Sequence, residues 1–263
     1  MFDIFIRFTR IRLYLFNLFS IFVLIFLISP NNLFSYKAII IFLANLFLTI
    51  FAYTINDVED SDDDYHDIKK RKRNPIANGD LSKKQGYIIS FLIFFTGLSL
   101  LLLLNYLVFL FGLFFGLIVF LYSWKPIRLK SIPFLDVISH VILLGVFQFF
   151  LTYITFKPLD FKMFPFLLIV APFPFAAEIF HELVDFEIDK KTKIKNTVQK
   201  FGKFNPTKMI IVLTIIITLG FVSLSYIGYL SRSMILFTPI VFLIVKWYLE
   251  DMWKNFNYKK QYF

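Results

Sequence analysis

The chain contains no cysteine, which excludes disulfides, thiolate metal ligands and a cysteine nucleophile. Its three histidines, His66, His140 and His181, are too scattered to form a spaced metal triad, so a zinc centre is not expected. No cleavable leader is expected either. The basic start (Arg7, Arg10, Arg12) runs into an apolar stretch that is long enough to span a bilayer and has no small-residue cleavage site. Nucleic-acid-binding motifs are absent, as is the GxGD segment of an intramembrane aspartyl protease. Charge is scarce: 17% of the 263 residues are charged, while 58% are hydrophobic and 21% aromatic, a composition that belongs to polytopic membrane proteins.

A helix needs about 20 apolar residues to cross the hydrocarbon core. Stretches at 13–29, 38–56, 86–104, 106–123, 133–155, 164–182, 209–228 and 233–249 qualify. Little more than Asn105 separates the third from the fourth, which predicts a tight helical hairpin. The expected fold is therefore all-α: one integral domain over 1–263, a polytopic transmembrane bundle of eight or nine spans. The abundant phenylalanine, 38 residues, is read as codon bias and lipid contact, and none is assigned to chemistry.

With the N-terminus in the cytoplasm, 24 of the 28 Lys and Arg fall on that side, and only Lys37, Lys157, Lys162 and Arg232 on the other. That asymmetry satisfies the positive-inside rule with both termini cytoplasmic. A cell-membrane location follows as an expectation. The basic surface then points to anionic headgroups or phosphate ligands, not nucleic acid.

The densest charge sits directly after the second span. Seven carboxylates fall within residues 57–67 and seven Lys or Arg within 69–84. Asn56, Asp60 and Asp64 are at i, i+4 and i+8, one stripe of a helix, and Asp57 lies beside the first. Like charges so spaced repel unless a cation lies between them, and a set of hard oxygen donors suits Mg²⁺. The pattern returns after the sixth span in "HELVDFEIDKKTKIKNTVQKFG", where Asp185 and Asp189 are at i and i+4, one turn after His181. Each cluster leads through a basic segment to a glycine (Gly79, Gly202) and another span. This reads as a half-repeat on one membrane face, with two acidic helix ends expected to face each other across a cavity. A single mixed-charge loop is ordinarily a solvated connector; two with the same acid spacing outweigh that reading. Asp62, Asp63, Asp67, Glu59 and Glu187 point off the stripe and are expected to be solvated.

The third loop, "YSWKPIRLKSIPFLD", offers Tyr122, Lys125, Arg128 and Lys130. Such cations often only snorkel to headgroups, yet a departing diphosphate needs cationic donors. Asp136 and His140, one turn apart at the start of the fifth span, are an ionisable pair expensive enough to mark either a structural anchor or a site.

These residues resemble the UbiA superfamily of intramembrane prenyltransferases. "NDVEDSDDD" is similar to its NDxxDxxxD motif and "VDFEID" to its second DxxxD motif; "KRKRNPIANG", "LYSWKPIRLKSIPFLD" and "NTVQKFG" are similar to the segments around them. The resemblance covers roughly residues 10–205. It implies a bundle around a central, lipid-accessible cavity, with Asn56, Asp57, Asp60 and Asp64 on one Mg²⁺-diphosphate unit and Asp185 and Asp189 on the second. Arg71, Arg73, Tyr122, Lys125, Arg128 and Lys130 are implied to grip the diphosphate, and Asp60, Asp64, Asp185 and Asp189 to be catalytic. The implied reaction is ionisation of an allylic polyprenyl diphosphate and attack by a lipophilic acceptor within membrane lipid; no obligate protein partner is implied. Four departures stand out: eight spans rather than nine, Asn74 where an arginine is usual, His181 where a small or amide residue is common, and no glycine near Lys193.

Two other functions compete. The long first loop also resembles polyprenyl-phosphate phosphoribosyltransferases, whose donor is a soluble phosphoribosyl diphosphate. A divalent-cation transporter would also use intramembrane acids, but with carboxylates near mid-span and fewer basic neighbours. The acceptor and the prenyl chain length are not legible in a cavity wall of Phe, Leu and Ile.

Overall fold

The structure is a computed structural model that describes residues 2–11, 14, 18–192 and 195–261. Among the described residues every regular element is helical. The helices are α1 (Phe2–Thr9), α2 (Ser20–Ile28), α3 (Tyr36–Asp64), α4 (Ile68–Arg73), α5 (Lys83–Leu102), α6 (Tyr106–Ser123), α7 (Leu135–Val141), a π-helical turn (Ile142–Val146), α8 (Phe147–Phe156), α9 (Phe164–Val170), α10 (Pro172–Thr192), α11 (Thr197–Phe201), α12 (Pro206–Tyr226) and α13 (Thr238–Gln261).

Seven helices among the described residues are long and apolar enough to cross a membrane, and they coincide with the second to eighth expected spans. The first expected span contains α2; its residues 13 and 15–17, like Arg12 and Lys193, lie outside the described residues. The predicted hairpin is present. Asn105 accepts the Val108 N–H at 2.9 Å and so caps α6 three residues after α5 ends.

By its contacts the chain divides into two compact units, Met1–Arg128 with Phe150–Pro158, and Leu129–Phe149 with Leu159–Phe263. In the first, α3 packs along α5 and α6. Its buried face carries Ala38, Ile41, Ala44, Leu48, Phe51 and Ile55 at three- and four-residue spacing, and Phe51 stacks on Phe94 of α5 at 4.6 Å. At 29 residues α3 is about 44 Å long, longer than a ~30 Å hydrocarbon core. Its last two to three turns therefore run beyond the lipid and carry the first acidic motif.

In the second unit, Pro172 lacks the N–H that would continue the preceding helix, and the chain turns at Ala171 between α9 and α10. Ala176 and Phe180 of α10 pack with Ile210, Leu213 and Ile217 of α12 and Leu249 of α13. Such packing holds α10 along its apolar length and leaves its polar end to carry the second motif.

Candidate active site

In the first unit, the stripe Asn56, Asp57, Asp60 and Asp64 lies on the last turns of α3 as the spacing requires. Asp57 is fully buried and ion-paired with Arg10, which follows α1. Arg10 sits 5.6 Å over the Tyr53 ring, and Tyr53 stacks on Tyr14 at 5.0 Å. Asp64 is buried and accepts from the Asn74 amide at 3.0 Å; the same amide donates to the Asp57 carbonyl at 2.8 Å. Asn56 accepts from Ser123 at 3.2 Å.

Of the expected cations, Arg128 and Lys125 are engaged with acids at this helix end. Arg128 bonds Asp60 at 3.1 Å and Asp63 at 2.9 Å, and it holds a left-handed φ of 45° to do so. Lys125 bonds Asp62 at 3.0 Å, which Lys83 also reaches at 3.1 Å. Burial pulls the Lys125 ammonium down, but the Asp62 bond and the nearby Asp63 outweigh it and leave the group above the ordinary lysine range. Arg73 is exposed at the end of α4 and lies within the field of Asp57 and Asp64. Arg71 instead stacks 4.3 Å over Tyr65. Tyr122 is half-buried near the end of α6. Lys130 belongs to the second unit.

Glu59 corrects the sequence reading. It is not solvated but buried, and it accepts from the Tyr87 hydroxyl at 2.5 Å and the Lys125 N–H at 3.2 Å. It is a tie between α3, α5 and the loop after α6. Arg7 is a second tie that the sequence did not reveal: it bonds Asp3 at 2.7 Å and Asp80 at 2.8 Å, fixing the first helix to the basic loop.

In the second unit, Asp185 and Asp189 are half-exposed on the last turns of α10. His181 meets Asp185 at 3.3 Å, and the Asn196 amide donates to Asp189 at 2.8 Å. The half-repeat thus extends to detail. In each motif the last aspartate is held by an asparagine amide from the following loop, and each loop closes on a glycine with left-handed φ, +87° at Gly79 and +90° at Gly202. Asn74, at the position where the resembled family has arginine, is buried and also accepts the Ile76 N–H at 3.0 Å. Removing its side chain takes a partner from four polar groups, the Asp57 carbonyl, the Asp64 carboxylate and the Ile76 and Ala77 N–H groups, so Asn74→Ala should lower stability by about 1–3 kcal/mol. Thermal unfolding in detergent measures this, with the exposed Asn78→Ala as a silent control.

Asp136 proves to be an anchor. It is fully buried and accepts from the Thr197 N–H at 2.7 Å and the Thr197 hydroxyl at 2.5 Å. Glu182 accepts the next N–H, that of Val198, at 2.8 Å. Together they satisfy the start of α11 and fix the loop after the second motif. Glu178 was not singled out in the sequence; it is half-buried and contacts His140 at 3.1 Å.

Among the described residues no three acidic or histidine side chains converge closely enough to hold a metal by themselves. Mg²⁺ does not require such a cage, because it is commonly held by one or two carboxylates plus substrate phosphates. The donors present fit it. All are hard oxygens, and the second carboxylate oxygen of Asp57 is buried with no hydrogen-bond partner.

Comparison with known proteins agrees with the fold. Residues 17–262 match the family model described as the UbiA prenyltransferase family. A curated relative, the digeranylgeranylglyceryl phosphate synthase of Pyrococcus horikoshii, is 35% identical over 107 residues, which is 41% of this chain and 36% of that protein. The match thus spans about a third of the relative's length. A solved UbiA homolog from Archaeoglobus fulgidus bound to GPP and Mg²⁺ superimposes with a TM-score of 0.75 at 22% identity, covering 98% of this chain and 95% of that one. The same homolog bound to DMAPP and Mg²⁺ gives 0.73 at 23% identity over 93% and 85%.

Proposed function

The chain belongs to the UbiA prenyltransferase family and is an integral membrane protein, and from that membership we propose that it moves a polyprenyl group from an allylic diphosphate to a lipophilic acceptor with Mg²⁺ as cofactor. The observation that carries the proposal is the repeated aspartate motif at the ends of α3 and α10, with the last acid of each held by an asparagine. The neighbours that hold GPP or DMAPP with Mg²⁺ support the donor class. The relative named for digeranylgeranylglyceryl phosphate synthesis makes a glyceryl phosphate lipid the first acceptor to test.

In this reading Asn56, Asp57, Asp60 and Asp64 hold one magnesium, and Asp185 and Asp189 a second. Bound magnesium supplies positive charge that stabilises the leaving diphosphate. Arg128 and Lys125 exchange carboxylate partners for diphosphate oxygens, so their present ion pairs keep them extended and near the acids. The apolar spans exclude water from the allylic cation and leave the acceptor as its nucleophile. The motifs and both termini face the cytoplasm, by the distribution of Lys and Arg.

The test is binding of a non-ionisable geranylgeranyl thiodiphosphate to the purified protein, with and without Mg²⁺ and against phosphoribosyl diphosphate. Binding should require Mg²⁺ and resist the sugar. Displacement by the sugar would reassign the donor, and absence of prenyl binding would overturn the reading.

A further inference from the structure

Prenylation of a hydroxyl or an aromatic ring leaves a proton to be removed. The C1–O bond to diphosphate breaks with its electron pair on the leaving group, the acceptor supplies the pair that bonds to C1, and the acceptor's hydrogen departs as H⁺. The metal-binding carboxylates are poor candidates for that proton, since they are committed to cations. A base deeper in the protein, on the apolar side of the diphosphate, would take the proton close to the reacting carbon.

Among the described residues of the second unit, two ionisable groups set within the spans have not yet been given a role. Asp136 and Glu182 anchor α11, while His140 and Glu178 face each other, Nδ1 to Oε2 at 3.1 Å. Both stand within membrane spans, where an ionisable side chain is expensive and marks a functional site by default. Glu178 lies seven residues before Asp185 on the same helix, roughly 10 Å further from the helix end. That places the pair on the lipid-core side of the second motif, the side to which a donor's prenyl chain would extend. The pair is neither sealed nor in bulk water, with 18% of the His140 side chain and 14% of that of Glu178 accessible. The helix carrying His140 passes directly into the π turn Ile142–Val146, an irregularity found often at functional sites.

We propose that His140, oriented by Glu178, is the general base that accepts the acceptor's proton during prenyl transfer. With its proton on Nδ1, which faces Glu178 Oε2 at 3.1 Å, His140 keeps the Nε2 lone pair as the base, and the carboxylate beside it stabilises the imidazolium that forms. Four charged or titratable groups surround the pair: His181 acts on His140, and Asp136, Glu182 and Lys130 lie around Glu178. The assignment rests on the prenyl-transfer reading and adds the fate of the proton.

The experiment uses the full chain in lipid nanodiscs with geranylgeranyl diphosphate as donor. The acceptor is geranylgeranylglyceryl phosphate or 4-hydroxybenzoate, whichever the wild type prenylates. Mg²⁺-dependent binding of the thiodiphosphate is measured in parallel. His140→Gln should keep donor binding and lose kcat by about 10²–10⁴-fold. Glu178→Gln keeps an acceptor for Nδ1 but removes the charge, which makes the imidazolium easier to deprotonate. The acid limb of its kcat–pH profile should therefore move to lower pH, a change that a merely structural role would not produce. Full kcat in His140→Gln, or an unmoved limb in Glu178→Gln, overturns the assignment. Absence of donor binding in the wild type overturns it together with the reading beneath it.

Discussion

Asp60→Ala and Asp185→Ala should each reduce prenyl transfer by about a thousand-fold or more, the scale of losing one preorganised charge at a leaving group, while the protein still accumulates folded in membranes. Folding should survive because neither acid carries much structure. Asp60 shares Arg128 with Asp63, which holds the guanidinium at 2.9 Å when Asp60 is gone. Asp185 pairs with a well-exposed His181 at i,i+4. An exposed pair such as His181 with Asp185 contributes roughly 0–1 kcal/mol. Asp63→Ala is the matched control. It removes a carboxylate from the same Arg128 and Lys125 cluster, yet it lies off the stripe and should cost far less turnover. Mg²⁺-dependent binding of the thiodiphosphate and turnover are measured side by side. Normal turnover in both Asp60→Ala and Asp185→Ala would remove the metal assignment.

The chemistry of the motifs was legible because it is local. Acids four residues apart must share a helix face, and a span of fixed length decides where that face emerges from lipid. The loop glycines were legible too, as a matched pair, and both occupy the left-handed backbone that glycine adopts freely. What escaped the sequence is long-range pairing. Glu59 has the spacing of a solvated acid, and only the fold brings Tyr87, 28 residues on, to its carboxylate. Glu178, an ionisable residue inside the sixth expected span, was not singled out in the sequence, and its partner His140 comes from another helix. Asn74 and Asn196 could have been suspected as turn and cap residues; their amides reach the two motifs only because each loop folds back over its own helix end.

The pair most hidden from the sequence, Arg10 with Asp57, carries the largest expected effect on stability. Arg10 adopts a left-handed φ of 50°, a conformation that costs a non-glycine residue of order 1–3 kcal/mol. That cost is sustained where surrounding contacts over-determine the residue, here the buried carboxylate and the Tyr53 ring. Asp57 is fully buried, and deleting one member of a buried ion pair typically costs about 3–5 kcal/mol because the other is left uncompensated. Arg10→Met should therefore destabilise the protein by that amount in thermal or denaturant unfolding in detergent. Adding Asp57→Leu removes the stranded charge and should recover much of the loss. The double variant also separates structure from chemistry. If the free oxygen of Asp57 contributes to the metal site, the rebuilt protein will be stable yet impaired in Mg²⁺-dependent donor binding. If Arg10→Met costs less than about 1 kcal/mol, the pair is not the anchor described here. Stability recovered together with normal donor binding would make Asp57 purely structural and confine the first magnesium to Asn56, Asp60 and Asp64.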